Sequence, residues 1–163
     1  MRLIYIGMAA MILMAAAPAA WADEKVDLDK VPKAVMDAVK ARFPDAEIKG
    51  AEKETEEGKL YYEIEILNKK EEIDVELTPD GALSEIEKEI EYKDLPKAVS
   101  QALEAKYPKA EFDEVEEVTK VDKKTEKLAY YEVQVKTADK KHYEVQVDPD
   151  GKIVNEEKKD KKD

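Results

Sequence analysis

Leu95-Pro96-Lys97-Ala98-Val99, closing at Lys106-Tyr107-Pro108-Lys109-Ala110-Glu111, is the second appearance of a pattern that opens with Val31-Pro32-Lys33-Ala34-Val35 and closes at Arg42-Phe43-Pro44-Asp45-Ala46-Glu47. Further along, Tyr61-Tyr62-Glu63-Ile64 returns as Tyr130-Tyr131-Glu132-Val133, and Pro79-Asp80-Gly81 returns as Pro149-Asp150-Gly151. The same motifs in the same order read as a tandem duplication. Their periodicity sets the expected fold class: α+β, a tandem repeat of helix plus antiparallel β-sheet, the sheet keeping one solvated face.

The helical part of each repeat is legible from spacing. Val35, Ala38, Val39 and Phe43 match Val99, Ala102, Leu103 and Tyr107, and i, i+3, i+4, i+8 steps put each set on one helix face. Pro32 and Pro96 suit a first turn, where a missing N–H costs nothing, while Pro44 and Pro108 disfavour helical geometry in the residue before them.

The period then falls from 3.6 to 2. Tyr62, Ile64 and Ile66 alternate with Tyr61, Glu63 and Glu65, and Ile73, Val75 and Leu77 with Asp74 and Glu76. The second copy sets Tyr131, Val133 and Val135 against Tyr130, Glu132 and Gln134, then Tyr143, Val145 and Val147 against His142, Glu144 and Gln146. These are half-buried antiparallel strands. Thr78-Pro79-Asp80-Gly81 and Asp148-Pro149-Asp150-Gly151 read as hairpin turns, followed by strands from Leu83 to about Ile90 and from Lys152 to about Asn155. Ile48 and Ala51, like Phe112 and Val115, fall three apart and predict a bulge. Loops are expected over Thr119 to Lys127 and around Asn68 to Glu71.

The first 22 residues combine Arg2, an apolar run from Leu3 to Ala17, Pro18 and Ala20-Trp21-Ala22 ahead of Asp23-Glu24. That is the layout of a secretory signal peptide cleaved after Ala22. The run approaches spanning length, but the small-residue site favours cleavage over a retained anchor. No cysteine is present to carry a lipid. The expected organisation is a signal peptide over 1–22, a flexible segment over 23–29, one repeat over 30–91, a second over 92–157 and a disordered charged tail over 158–163, with the charged, aperiodic stretch Glu156 to Asp163 expected to be mobile. Glu91 to Asp94 is too short for a flexible linker, so the repeats should pack side by side or join into one larger sheet with both helices on one side. A repeat of roughly 60 to 70 residues is marginal alone, which also favours mutual support. The expected location is the periplasm or the exterior.

Charged residues make up 42% of the chain and its net charge is -12, which argues against nucleic-acid or anionic-membrane surfaces and for a basic protein or a cation. The absence of cysteine excludes disulfides and thiolate chemistry, and His142 alone cannot complete a histidine zinc site or a usual triad. No catalytic, cofactor-binding or metal residue is assigned. Carboxylate pairs could run glycoside chemistry, but the sequence places none beside apolar walls. Asp148-x-Asp150-Gly151 resembles the start of a calcium loop, yet the twelfth position is Lys159, so a plain turn is expected, with weak, diffuse calcium binding at most. The candidate protein-binding face is the outward row Tyr61, Glu63, Glu65, Asp74 and Glu76 with its copy Tyr130, Glu132, Gln134, His142, Glu144 and Gln146, aromatic rings giving contact area and carboxylates steering.

Leu95-Pro96-Lys97-Ala98-Val99 with Tyr107-Pro108, the strands around Tyr131-Glu132-Val133 and Tyr143-Glu144-Val145, and Asp148-Pro149-Asp150-Gly151 together resemble the PepSY-like, beta-lactamase-inhibitor-like family. The likeness runs once through each repeat; the first departs with Val31 for leucine and Phe43 for tyrosine. It implies an exported helix-plus-sheet protein without enzymatic activity, inhibitor-like toward a hydrolase, though this chain lacks the disulfides of the characterised inhibitor. The functional expectation is an exported, non-enzymatic protein-binding module. The alternative is an acidic envelope protein whose surface binds cations or buffers stress.

Overall fold

The proline-bounded, apolar-striped segments fold as two helices in a computed structural model that describes residues 24–56, 58–123 and 125–159. Helix α1 spans Lys33–Arg42 and α2 spans Lys97–Lys106. Each starts directly after its proline and ends at the aromatic residue, where the Phe43 and Tyr107 N–H groups donate to the carbonyls of Val39 and Leu103 at 2.8 Å. Pro44 and Pro108 prevent continuation.

Among the described residues, nine strands form one antiparallel sheet in which every strand pairs with its neighbours in chain order. They are β1 (Glu24–Lys25), β2 (Glu47–Glu56), β3 (Lys59–Asn68), β4 (Glu71–Leu77), β5 (Leu83–Glu89), β6 (Glu111–Asp122), β7 (Thr125–Lys136), β8 (His142–Val147) and β9 (Ile153–Lys159). Lys69 and Lys70 turn the β3–β4 corner with φ of 54° and 77°, the paired positive values of a tight hairpin. Gly81 and Gly151 take φ of 85° and 87° at the two Pro-Asp-Gly corners. The expected bulges appear as register shifts between Ile48 and Gly50 and between Asp113 and Val115.

Both helices lie on one face, each over the strands that follow it. Val35 and Val39 pack with Ile64, Ile66, Val75 and Leu77; Val99 and Leu103 pack with Val133, Val135, Val145 and Val147. The two clusters have no buried residue in common. What joins them is the β5–β6 ladder, from Glu85↔Lys120 to Glu89↔Glu116.

Three expectations change. Thr119 to Lys127 is not a loop: β6 and β7 stay paired out to Asp122↔Thr125, because ladder hydrogen bonds need no apolar side chains and Thr119, Val121 and Thr125 favour extended backbone. Within the segment expected to be flexible over 23–29, Glu24 and Lys25 pair with Lys53 and Glu52, and a 3-10 turn spans Leu28–Lys30. Val26 packs against the first core and its N–H donates to Ala51 at 2.9 Å, which ties the segment down. Glu156 to Lys159, expected to be mobile, continue β9, with Lys159 2.9 Å from Glu144. The leader and residues 160–163 lie outside the described residues.

Candidate functional site

Opposite the helices, strand alternation sets polar side chains in rows across the sheet. One row runs Glu52↔Glu63↔Glu76↔Glu85↔Lys120, a second Glu65↔Asp74↔Glu87, and a third Glu89↔Glu116↔Glu132↔Gln146. Like charges directly opposite one another destabilise a sheet, so a surface this acidic would be expected to stay flat and wet. It does neither. Glu76 and Glu85 are buried at 6% and 8% exposure, and Val118, which pairs with Glu87 and Tyr130 and belongs to neither apolar cluster, is fully enclosed. A cavity of about 680 Å³ is walled by residues of β1 through β6, including Glu52, Glu63, Asp74, Glu89 and Glu116. The sheet is therefore cupped: its polar face keeps a cavity open to solvent, while curling brings alternate side chains of distant strands together and shields Glu76, Glu85 and Val118.

The electrostatic consequence is large. Burial, with Glu116 and Glu132 nearby, pushes the Glu87 carboxyl up to about 10. Burial and Glu132 push Glu116 up to about 9. Glu132 rises to about 7 through burial and Glu144, restrained by the amide of Gln146 and by Lys159. Glu76 rises to about 8 and Asp74 to about 6, burial leading in both. One carboxylate oxygen from each of Glu87, Glu116 and Glu132 lies within 4.8 Å of the other two. Raised carboxyls serve as general acids, but Glu87 and Glu116 move the same way and do not form an acid beside an ionised base.

The predicted face residues do share this surface, with unequal roles. Glu65 is exposed, while Tyr61, Glu63, Asp74, Tyr130, Glu132, Gln134, His142, Glu144 and Gln146 are half-buried and Glu76 is buried. Tyr130 is not free to dock: its hydroxyl donates to Glu85 Oε2 at 2.9 Å, and Lys120 holds the other Glu85 oxygen at 2.9 Å. Tyr61 instead lines a second cavity of about 640 Å³ with Lys59, Ser84 and Lys127. Gln146 donates to Glu132 at 2.9 Å and Gln134 to Glu144 at 3.2 Å. His142 opens β8 opposite Lys136 and Lys159, apart from the acid trio. Glu85, Glu87 and Glu116 were not among the predicted residues; the signal was the alternation Glu85-x-Glu87-x-Glu89 and Glu114-x-Glu116.

A helix-backed, cupped antiparallel sheet places the chain in the fold class of a set of Bacteroides proteins. A BLIP-like protein from Bacteroides fragilis is 22% identical, with 78% of this chain and 86% of that one covered at a TM-score of 0.56. A DUF2874 family protein from Bacteroides uniformis is 21% identical, covering 78% and 88% at 0.60, and a protein from Bacteroides eggerthii described as "putative periplasmic" is 18% identical, covering 78% and 88% at 0.61. The chain belongs to the family described as "Putative beta-lactamase-inhibitor-like, PepSY-like", whose model matches residues 60–155. The model of the peptidase propeptide and YPEB domain matches residues 32–87. Among curated proteins none matches. Among the described residues no helix is long and apolar enough to cross a membrane.

Proposed function

We propose that this chain is an exported, non-enzymatic binding module that receives a basic segment of a partner protein on its cupped acidic face, inhibitor-like toward a hydrolase. The carrying observation is the cavity of about 680 Å³ in whose wall carboxylates from β2 to β6 outnumber Lys25 and Lys49, with Glu65 exposed. Such a surface attracts cationic side chains and steers their approach. Residues 1–22 serve as a cleaved leader, and 30–91 and 92–157 are copies of one duplicated unit. The parallel element order supports that last reading, a helix followed by four strands in each half.

The test is affinity capture by the mature protein, residues 23–163, from periplasmic and secreted fractions, beside Glu65→Lys and Tyr61→Ser variants. One stoichiometric partner that survives moderate salt and is lost with Glu65→Lys is expected. Unchanged capture by both variants overturns the proposed face. Salt-labile recovery of many basic proteins replaces the module with a diffuse cation-binding surface.

A further inference from the structure

We propose that the β5–β6 seam is a proton-operated joint, closed while the carboxyls of Glu87, Glu116 and Glu132 share protons and loosened when they ionise. The two apolar clusters have no buried residue in common, so the halves are held together by the five-pair β5–β6 ladder and by side chains that cross it. The acid trio straddles that ladder: Glu87 stands on β5, Glu116 on β6 and Glu132 on β7, their nearest oxygens within 4.8 Å of one another.

The surroundings supply little countercharge. Toward Glu87, β4 presents Asp74 directly opposite and β3 presents Glu63. On the same rows β5 adds Glu85 and Glu89, β4 Glu76, and β6 Glu114. Tyr130 of β7 and Lys120 of β6 both bind Glu85. On the far side β8 offers the Gln146 amide to Glu132 but also Glu144, and Lys159 of β9 binds Glu144. Half-buried carboxylates this close do not all ionise together and titrate as a group.

The sign follows from linkage. Glu132, Glu116 and Glu87 sit near 7, 9 and 10 in the closed sheet, against an ordinary value of 4.5. The closed form therefore binds more protons than an opened one; its advantage is complete below about pH 4.5 and declines as pH rises through those three values. Opening the seam would reshape the cavity, because the cavity wall includes residues on both of its sides.

The experiment is amide hydrogen exchange on the full chain from pH 6.5 to 9.5, corrected for the intrinsic rate, beside the double variant Glu87→Gln and Glu116→Gln. Amides of β5 and β6 are expected to be less protected than those of Ile64, Ile66, Val133 and Val135 throughout, and their protection to fall by at least about tenfold across the range, the equivalent of one unit of proton linkage. The variant should lose most of that pH dependence. Seam protection that is flat with pH, that equals core protection at every pH, or that falls as much in the variant overturns the joint. If the variant does not fold, carbon-13 titration of the wild-type glutamates decides: at least two carboxyls titrating above pH 7 support the proposal, and none above pH 5.5 overturns it.

Discussion

Gly81 lies so close against Ala34 that a Cβ on the glycine would stand 2.6 Å from the Ala34 carbonyl oxygen. Gly151 stands to Ala98 in the same way, at 2.5 Å. Each Pro-Asp-Gly corner is thus seated on the first turn of the helix that precedes its strands. Gly58 has a similar φ of 80° with nothing within 4 Å. Gly58→Ala should cost about 1 kcal/mol, the left-handed penalty alone. Gly81→Ala and Gly151→Ala should each cost about 2 to 4 kcal/mol, because the clash is with backbone and forces the helix or turn to shift. Urea midpoints of the three variants check the order, and equal losses would remove the helix contact as a cause.

The Tyr130 hydroxyl closes a bridge across the seam by donating to Glu85, which Lys120 also holds. Tyr130→Phe leaves a buried carboxylate with one partner fewer and should cost about 1.5 to 3 kcal/mol, as for hydrogen bonds to charged groups. Tyr61→Phe, at the rim of the second cavity, should stay within about 0.5 kcal/mol of wild type. Chemical denaturation at neutral pH reads both. The tyrosines of the two Tyr-Tyr-Glu stretches thus stand in different settings, Tyr130 bonded across the seam and Tyr61 facing a cavity.

The helices, the Pro-Asp-Gly corners and the bulges were legible because each depends on neighbours in sequence: a 3.6 period between prolines, a glycine where φ must be positive, apolar residues three apart in a strand. The face was legible as a row but not as a cup. Glu85, Glu87 and Glu89 read locally as the wet side of a closing strand. Only the pairing of β5 with β6, 22 residues away across α2, buries Glu85 and half-buries Glu87, while Glu89 stays exposed at the end of the strand. Tyr61 and Tyr130 likewise look interchangeable in sequence, since Glu85 and Lys120 that separate their roles come from other strands.

The separation of the apolar clusters has a measurable consequence. Leu103→Ala, in the fully buried second cluster, should cost about 2 to 5 kcal/mol, and Ile64→Val in the first about 0.5 to 1.5 kcal/mol. Because no buried residue belongs to both clusters, the double variant should show a coupling below about 0.5 kcal/mol. A larger coupling from a double-mutant cycle would mean that the halves share packing beyond the β5–β6 ladder.

Glu76 is a buried acid outside the trio. It sits opposite Glu63 and Glu85, its Oε1 has no hydrogen-bond partner, and burial, with the carboxyl of Glu54, raises it to about 8 from an ordinary 4.5. For an acid raised on folding, the native state holds the extra proton, so the stabilisation is full below about pH 4.5 and is lost as pH rises through about 8. Glu76→Gln keeps the shape and a donor but cannot ionise. Its urea midpoint should match wild type near pH 4.5, exceed it at pH 8.5, and vary less in between. A wild-type midpoint that rises from pH 4.5 to 8.5, or a variant that tracks it in parallel, would place the Glu76 carboxylate in water instead of inside the cup.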